Sequence, residues 1–282
     1  MQTSEEEPIY LDLWNQALAG VRKHLITYSK DSSFTILGER PNGLRKALSP
    51  KMDHLVCFMP GTIALGATGG LSVAEAQKAG KWGKKQEEEM RLAEELTKTC
   101  WGMYKVMATG LAPEITYFEI DSPPRTETDA IIRSKEMTEG EDASWRSDFT
   151  VKPMDSHNLQ RPETVESLFY MWRITGDVKY REWGWEMFEA FVKYTSAEDG
   201  AGFTSLSNAN VLPPELKDNM ESFWLVRLLR ACMVTDTDKV VRRRKRSSTF
   251  ISCFHLMIFY RWIPLFSTPK RIYSPASSWR EA

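Results

Sequence analysis

The stretch from Lys84 to Thr109 sets the strongest constraint on the fold. Leu92, Leu96, Cys100, Met103 and Met107 recur there at steps of three and four behind a highly charged first half. That spacing describes a long helix with one buried face, and Gly110 is placed to stop it in a left-handed conformation. The same steps connect Leu11, Trp14, Leu18, Val21 and Leu25 near the start. A second, more buried helix is expected from Asp53 to about Gly66, bent at Pro60-Gly61-Thr62. Pro162 suits the first turn of another, which runs to Gly176-Asp177, because its missing N–H is not needed there. A further helix is expected from Lys179 to about Tyr194, rich in Trp183, Trp185, Phe188 and Phe191, and a last one from near Pro214 with Met220, Phe223 and Trp224. Asp121 to Lys152, with Pro123-Pro124 and an acidic run, reads as a long surface loop with too little apolar material to bury. Gly200 to Val211 has room for a short hairpin. No stretch alternates strongly enough for a sheet of any size, so the class is all-α, with paired helices forming a toroid or bundle.

Composition narrows the function by exclusion. The formal net charge of the 282 residues is −1, which does not suit a nucleic-acid binder. The exception, Arg242-Arg243-Arg244-Lys245-Arg246, has no interleaved aromatics, so no nucleic-acid partner is expected. Thr249 to Phe266 is mostly apolar but broken by His255 and Arg261, short of the roughly 20 uninterrupted residues a membrane span needs. No transmembrane segment is therefore expected. Four cysteines make neither a disulfide framework nor a zinc pattern. The 10 Trp suit core packing, or alternatively the stacking of flat rings on sugar C–H faces. The acidic, polar opening Met1 to Glu7 is not a signal peptide, and the chain has no Asn-x-Ser/Thr sequon; alone, both point to the cytosol.

Four segments carry a more specific signal. They are Lys51-Met52-Asp53-His54-Leu55-Val56-Cys57-Phe58; Thr97-Lys98-Thr99-Cys100 followed by Gly110-Leu111-Ala112-Pro113-Glu114; Leu159-Gln160-Arg161-Pro162-Glu163-Thr164-Val165-Glu166-Ser167; and Lys217-Asp218-Asn219-Met220-Glu221-Ser222-Phe223-Trp224-Leu225. In order and spacing they resemble glycoside hydrolase family 47, the class I α-1,2-mannosidases, over about residues 8 to 225. The Pro60-Gly61-Thr62 wording is more similar to the endoplasmic-reticulum branch than to the Golgi branch.

The resemblance implies part of an (α/α)7 barrel that removes α-1,2-linked mannose from high-mannose N-glycans with inversion. It also implies calcium as cofactor, roles in glycoprotein processing and endoplasmic-reticulum-associated degradation, and an endoplasmic-reticulum or Golgi lumen, against the cytosolic signs above. Glu163 matches the family's general base and Glu114 an acid or a member of the site's carboxylate cluster. Arg161, Pro162, Glu166, His54 and Phe223 match residues around the sugar or calcium, and Cys57 and Cys100 match the family disulfide. By themselves these residues read more plainly: a helix-terminal Glu, a loop-capping Glu, a core histidine, a core Phe and two buried thiols.

Two departures accompany the match. The family's first catalytic acids lie upstream, with no counterpart before Tyr10. Val226-Arg227-Leu228 replaces the family's continuation, Arg227 stands where a carboxylate is expected, and the calcium-binding Thr-Glu-Ala-His is missing. The chain is therefore expected to be truncated at both ends, with no metal ligand of its own, an unrelated tail over 226–282, and weak or no activity alone. A lectin-like quality-control protein that binds mannose glycans without cleavage is the alternative.

Overall fold

The computed structural model describes residues 8–126, 132–197 and 202–223. Within them are α1 (Pro8–His24), β1 (Ile26–Tyr28), β2 (Thr35–Leu37), β3 (Lys51–Asp53), a 3-10 turn (His54–Phe58), α2 (Met59–Thr68), α3 (Val73–Lys78) and α4 (Lys84–Lys105). There follow β4 (Ile115–Phe118), a 3-10 segment (Gly140–Asp148), β5 (Phe149–Thr150), α5 (Glu163–Thr175), α6 (Lys179–Thr195), β6 (Ser205–Leu206) and β7 (Leu216–Lys217). The core lies where α2 packs on α4 and α5, and α5 on α6.

α4 is the spine. Leu92, Leu96, Cys100 and Met103 are fully buried, as the period requires. It ends at Lys105 instead of Thr109; Gly110 is left-handed, with φ +71°, but closes a later turn. The expected bent helix after Asp53 is two elements. The 3-10 turn comes first, and Pro60 then occupies the opening turn of α2, where a missing N–H costs nothing. α2 approaches α5 so closely that a methyl group on Gly61 would lie 3.0 Å from the Ser167 Cα. The Ser167 hydroxyl fastens the contact, accepting from the Gly61 N–H at 3.0 Å and donating to the Cys57 carbonyl at 2.6 Å.

α3 was not expected. Its period is too short to register, but Ser72 and Glu75 form a complete capping box at its start. Of the face foreseen on α1, Leu18 is buried, Trp14, Val21 and Leu25 are half-buried, and Leu11 is exposed. One stretch, His54–Lys78, is long and apolar enough to cross a membrane by length and composition. It is three separate elements, and it contains Cys57, which is bonded to Cys100 across the core with Cα atoms 5.8 Å apart.

Three antiparallel sheets of two or three strands lie among the helices: β1-β2, β3-β4-β5 and β6-β7. Strands of two to four residues are too short to show alternation, which is why they are invisible in the sequence. The segment read as the surface loop 121–152 is a correction. It holds the 3-10 segment and β5, and it buries Trp145 and Phe149. Phe149 meets Phe34 edge-on at 4.9 Å, Phe118 at 5.2 Å and Trp145 at 5.8 Å, so a few large rings do the burying that many small apolar residues would otherwise do. The helix expected from Pro214 is a second correction. Leu216 pairs with Leu206 and Lys217 with Ser205, and residues 214–223 contain no helix. Pro213 and Pro214 supply no N–H, and the following backbone finds its partners across the hairpin. Trp224, Cys232, Cys253, the basic run and the whole 226–282 tail lie outside the described residues.

Candidate active site

The site begins at the end of the small sheet. β3 and β4 run antiparallel with Asp53 opposite Ile115. One step further, the His54 N–H donates to the Glu114 carbonyl at 2.8 Å. The Glu114 N–H in turn donates to the Asp155 and His157 carbonyls, at 3.0 and 3.1 Å, which ties in the approach to the Arg-Pro-Glu motif. Asn158 anchors that approach by donating to the Ala112 carbonyl at 2.7 Å and accepting from the Gln160 N–H at 3.0 Å. Gln160 is fully buried with φ +62°, a left-handed backbone that costs a non-glycine residue about 1 kcal/mol or more. Its amide is bonded to the Thr204 carbonyl, which holds the turn in place and delivers Arg161, Pro162 and Glu163 in succession.

Pro162 is the N-cap of α5 and Glu163 its first residue, so the carboxylate lies at the positive end of the helix dipole. Its Oε2 is 2.9 Å from His54 Nδ1, and the other ring nitrogen, Nε2, is 2.7 Å from the Tyr104 hydroxyl and 3.4 Å from that of Thr164. His54 is 2% exposed and Glu163 9%. Burial is the largest single influence on Glu163 and pushes its carboxyl up. The His54 hydrogen bond and charge, Glu163's own backbone N–H and the Arg161 guanidinium together outweigh it and leave the pKa below the ordinary glutamate value. The outcome is a mostly enclosed but ionised carboxylate.

Arg161 Nε donates to Glu114 Oε2 at 2.6 Å, and its guanidinium lies 5.5 Å from the centre of the Phe223 ring. Glu166 is buried one turn along α5 from Glu163, on the same face. The fold thus joins His54 to Glu163 and Glu114 to Arg161 directly, brings Phe223 to Arg161, and couples Arg161 to Glu163 through charge. Chemically, the cluster offers an ionised base, a guanidinium for hydroxyl oxygens and an aromatic face for an apolar one.

Tyr104, Thr164 and Gln160 escaped the sequence reading. A signal for Tyr104 existed: it lies one helical turn after Cys100, as Cys57 lies one 3-10 turn after His54, so pairing the cysteines pairs these two. The calcium implied by the resemblance has no fit here. Among the described residues no three His, Cys, Asp or Glu side chains converge to hold a metal. A separate cavity of about 210 Å³ between α4, α6 and residues 136–139 is lined by Trp101 and Trp183. Its lysines are already paired with its carboxylates: Lys98 with Glu136, and Lys105 with Glu139 and Glu186.

The chain matches known proteins in sequence and in fold. Residues 1–235 match the model of glycosyl hydrolase family 47. A mannosyl-oligosaccharide 1,2-alpha-mannosidase of Candida albicans is 45% identical over 85% of this chain and 40% of its own length. The endoplasmic reticulum mannosyl-oligosaccharide 1,2-alpha-mannosidase of Saccharomyces cerevisiae is 43% identical over 83% of this chain and 41% of its own, and the human protein of that name 39% identical over 84% and 29%. The chain thus spans about 40% or less of these curated relatives. An alpha-1,2-mannosidase structure from Trichoderma reesei superposes with TM-score 0.61 at 22% identity, covering 82% of this chain and 43% of that one. The described helices are accordingly part of an (α/α)7 barrel, and the chain belongs to glycosyl hydrolase family 47.

Proposed function

We propose that this segment carries the base side of an inverting α-1,2-mannosidase acting on high-mannose N-glycans. Glu163 removes a proton from the attacking water while a second carboxyl group, roughly 6.5–9.5 Å away, protonates the leaving oxygen. Glu114 is the acid or an electrostatic partner, and its ion pair with Arg161 favours the partner role. Arg161 and Glu166 hold the mannose hydroxyls beside Pro162, Phe223 covers a C–H face, and His54, its two ring nitrogens engaged by Glu163 and Tyr104, orients the base. The observation that carries this reading is the enclosed carboxylate held ionised at the first turn of α5. The names of the yeast and human relatives support the endoplasmic reticulum as its place; roles in glycoprotein processing and endoplasmic-reticulum-associated degradation belong to the same proposal.

The test is release of mannose from a high-mannose oligosaccharide, followed by NMR of the anomer. It is run on the 282-residue chain and on a Candida albicans relative in which residues 8–223 replace the matching part. The β-anomer is expected first, and Glu163→Gln should lower kcat about 10²–10⁴-fold with KM little changed. Early α-anomer, or an undiminished rate in the variant, would sink the proposal. The alternative is a binding-only reading, in which the cluster holds the glycan without cleaving it. Glycan titration by calorimetry with and without calcium, showing binding and no release, would select it.

A further inference from the structure

We infer that the cavity between α4, α6 and residues 136–139 is a second saccharide site, which holds one neutral hexose unit apart from the cluster around Glu163. It goes beyond the hydrolase reading and does not depend on the role of that carboxylate.

The cavity takes its shape from helical periodicity. Lys98, Trp101 and Lys105 lie three and four residues apart and share one face of α4, roughly opposite the face of Cys100 and Met103. Trp183 and Glu186 share a face of α6 in the same way. The two indoles stack at 5.4 Å with 11° between their planes, and together they form an aromatic wall. Trp101 is 4% exposed and flanked by the Trp183 and Tyr104 rings, so this wall is already in place before any ligand arrives. Ion pairs close both ends. Lys98 meets Glu136 at 3.4 Å, and Lys105 spans the other end to Glu139 at 3.1 Å and Glu186 at 3.3 Å. Two turns of α4, about 10 Å, separate the ends. The volume of about 210 Å³ equals the share of about seven waters, which suits one sugar ring and not an extended chain.

The charges select the ligand class. Arg146 also holds Glu139, at 3.1 Å, so three cations face three carboxylates. A charged ligand would have to displace one of these partners, and a neutral one leaves them all in place. Pairing does not exhaust the groups, because an ammonium has three hydrogens, a carboxylate several lone pairs, and a hydroxyl both donates and accepts. Sugar hydroxyls therefore fit at both ends while the indoles cover a C–H face. The three carboxylates are mostly exposed, which opens the cavity to solvent.

The test follows the indole N–H signals of the nitrogen-15-labelled 282-residue chain during titration with methyl α-D-mannopyranoside. The Trp101 and Trp183 signals should move saturably, with a midpoint of about 1 mM for a ligand of roughly a dozen heavy atoms. No movement, or movement that never saturates, would overturn the inference. So would a response to methyl α-D-glucuronate or lysine amide that the neutral sugar does not match. Trp183→Ala should abolish the response of Trp101. Should that variant not fold, Glu186→Ala, at a half-exposed position, decides: its midpoint should rise about tenfold, and an unchanged midpoint would overturn the inference. Glu163→Gln should leave the response as it is, whereas its loss would place the sugar in the other cluster. Mannose release without these shifts contradicts this inference alone, and the shifts without release contradict the hydrolase reading alone.

Discussion

Both ring nitrogens of His54 are engaged inside the protein, so the residue governs the charge of its neighbour more than its own packing. With the pKa of Glu163 below the usual value of about 4.3, the unfolded chain takes up its proton first as the solution is acidified. The stability this carboxylate contributes is thus complete above about pH 4.3 and is lost as pH falls through the lower folded value. His54→Ala removes the partner and leaves burial unopposed by that bond, so the carboxyl should rise and the dependence reverse. Melting temperatures from about pH 3 to 7 should show the variant losing most, relative to wild type, at the neutral end. Parallel curves would contradict this account. At this scale Glu163, Glu114, Arg161 and His54 were legible because their local words are distinctive. Gln160 was not, since nothing in a glutamine announces a left-handed backbone.

Among the elements, the contact between α2 and α5 is a tight place to disturb near the site. A methyl group on Gly61 would stand 3.0 Å from the Ser167 Cα and 3.1 Å from its hydroxyl oxygen, and the backbone cannot give way cheaply. Gly61→Ala should cost about 1–3 kcal/mol in urea unfolding, and an unchanged midpoint would refute the close approach. The long helices α4, α5 and α6 could be read from the sequence because each repeats its period several times. α5 also has clear ends, with Pro162 before it and Gly176 after it at φ +74°, a left-handed stop that a residue with a Cβ would resist. The hairpin that replaced the helix at Pro214 was hidden, because Leu216 and Lys217 are held by partners ten or so residues away and not by their own pattern. Trp145 was hidden for the opposite reason: one large ring fills a space that hydrophobicity counts spread over many positions.

For the molecule as a whole, the covalent link between Cys57 and Cys100 spans 43 positions, and both sulfurs are wholly enclosed. Closing such a loop contributes about 4 kcal/mol in the chain-entropy view. Replacing both cysteines by serine should lower the unfolding free energy by about that amount, measured by urea denaturation without reductant. A loss under about 1 kcal/mol would mean that packing alone holds the two segments. The rung beyond Asp53 and Ile115 has a different consequence. His54 and Glu114 share it through a single backbone hydrogen bond, from the His54 N–H to the Glu114 carbonyl. Successive residues of a strand face opposite ways, so a slip of β3 against β4 by one position would break this bond and part the two residues. Misassembly therefore undoes the His54–Glu163 and Glu114–Arg161 contacts together and leaves no half-built cluster behind.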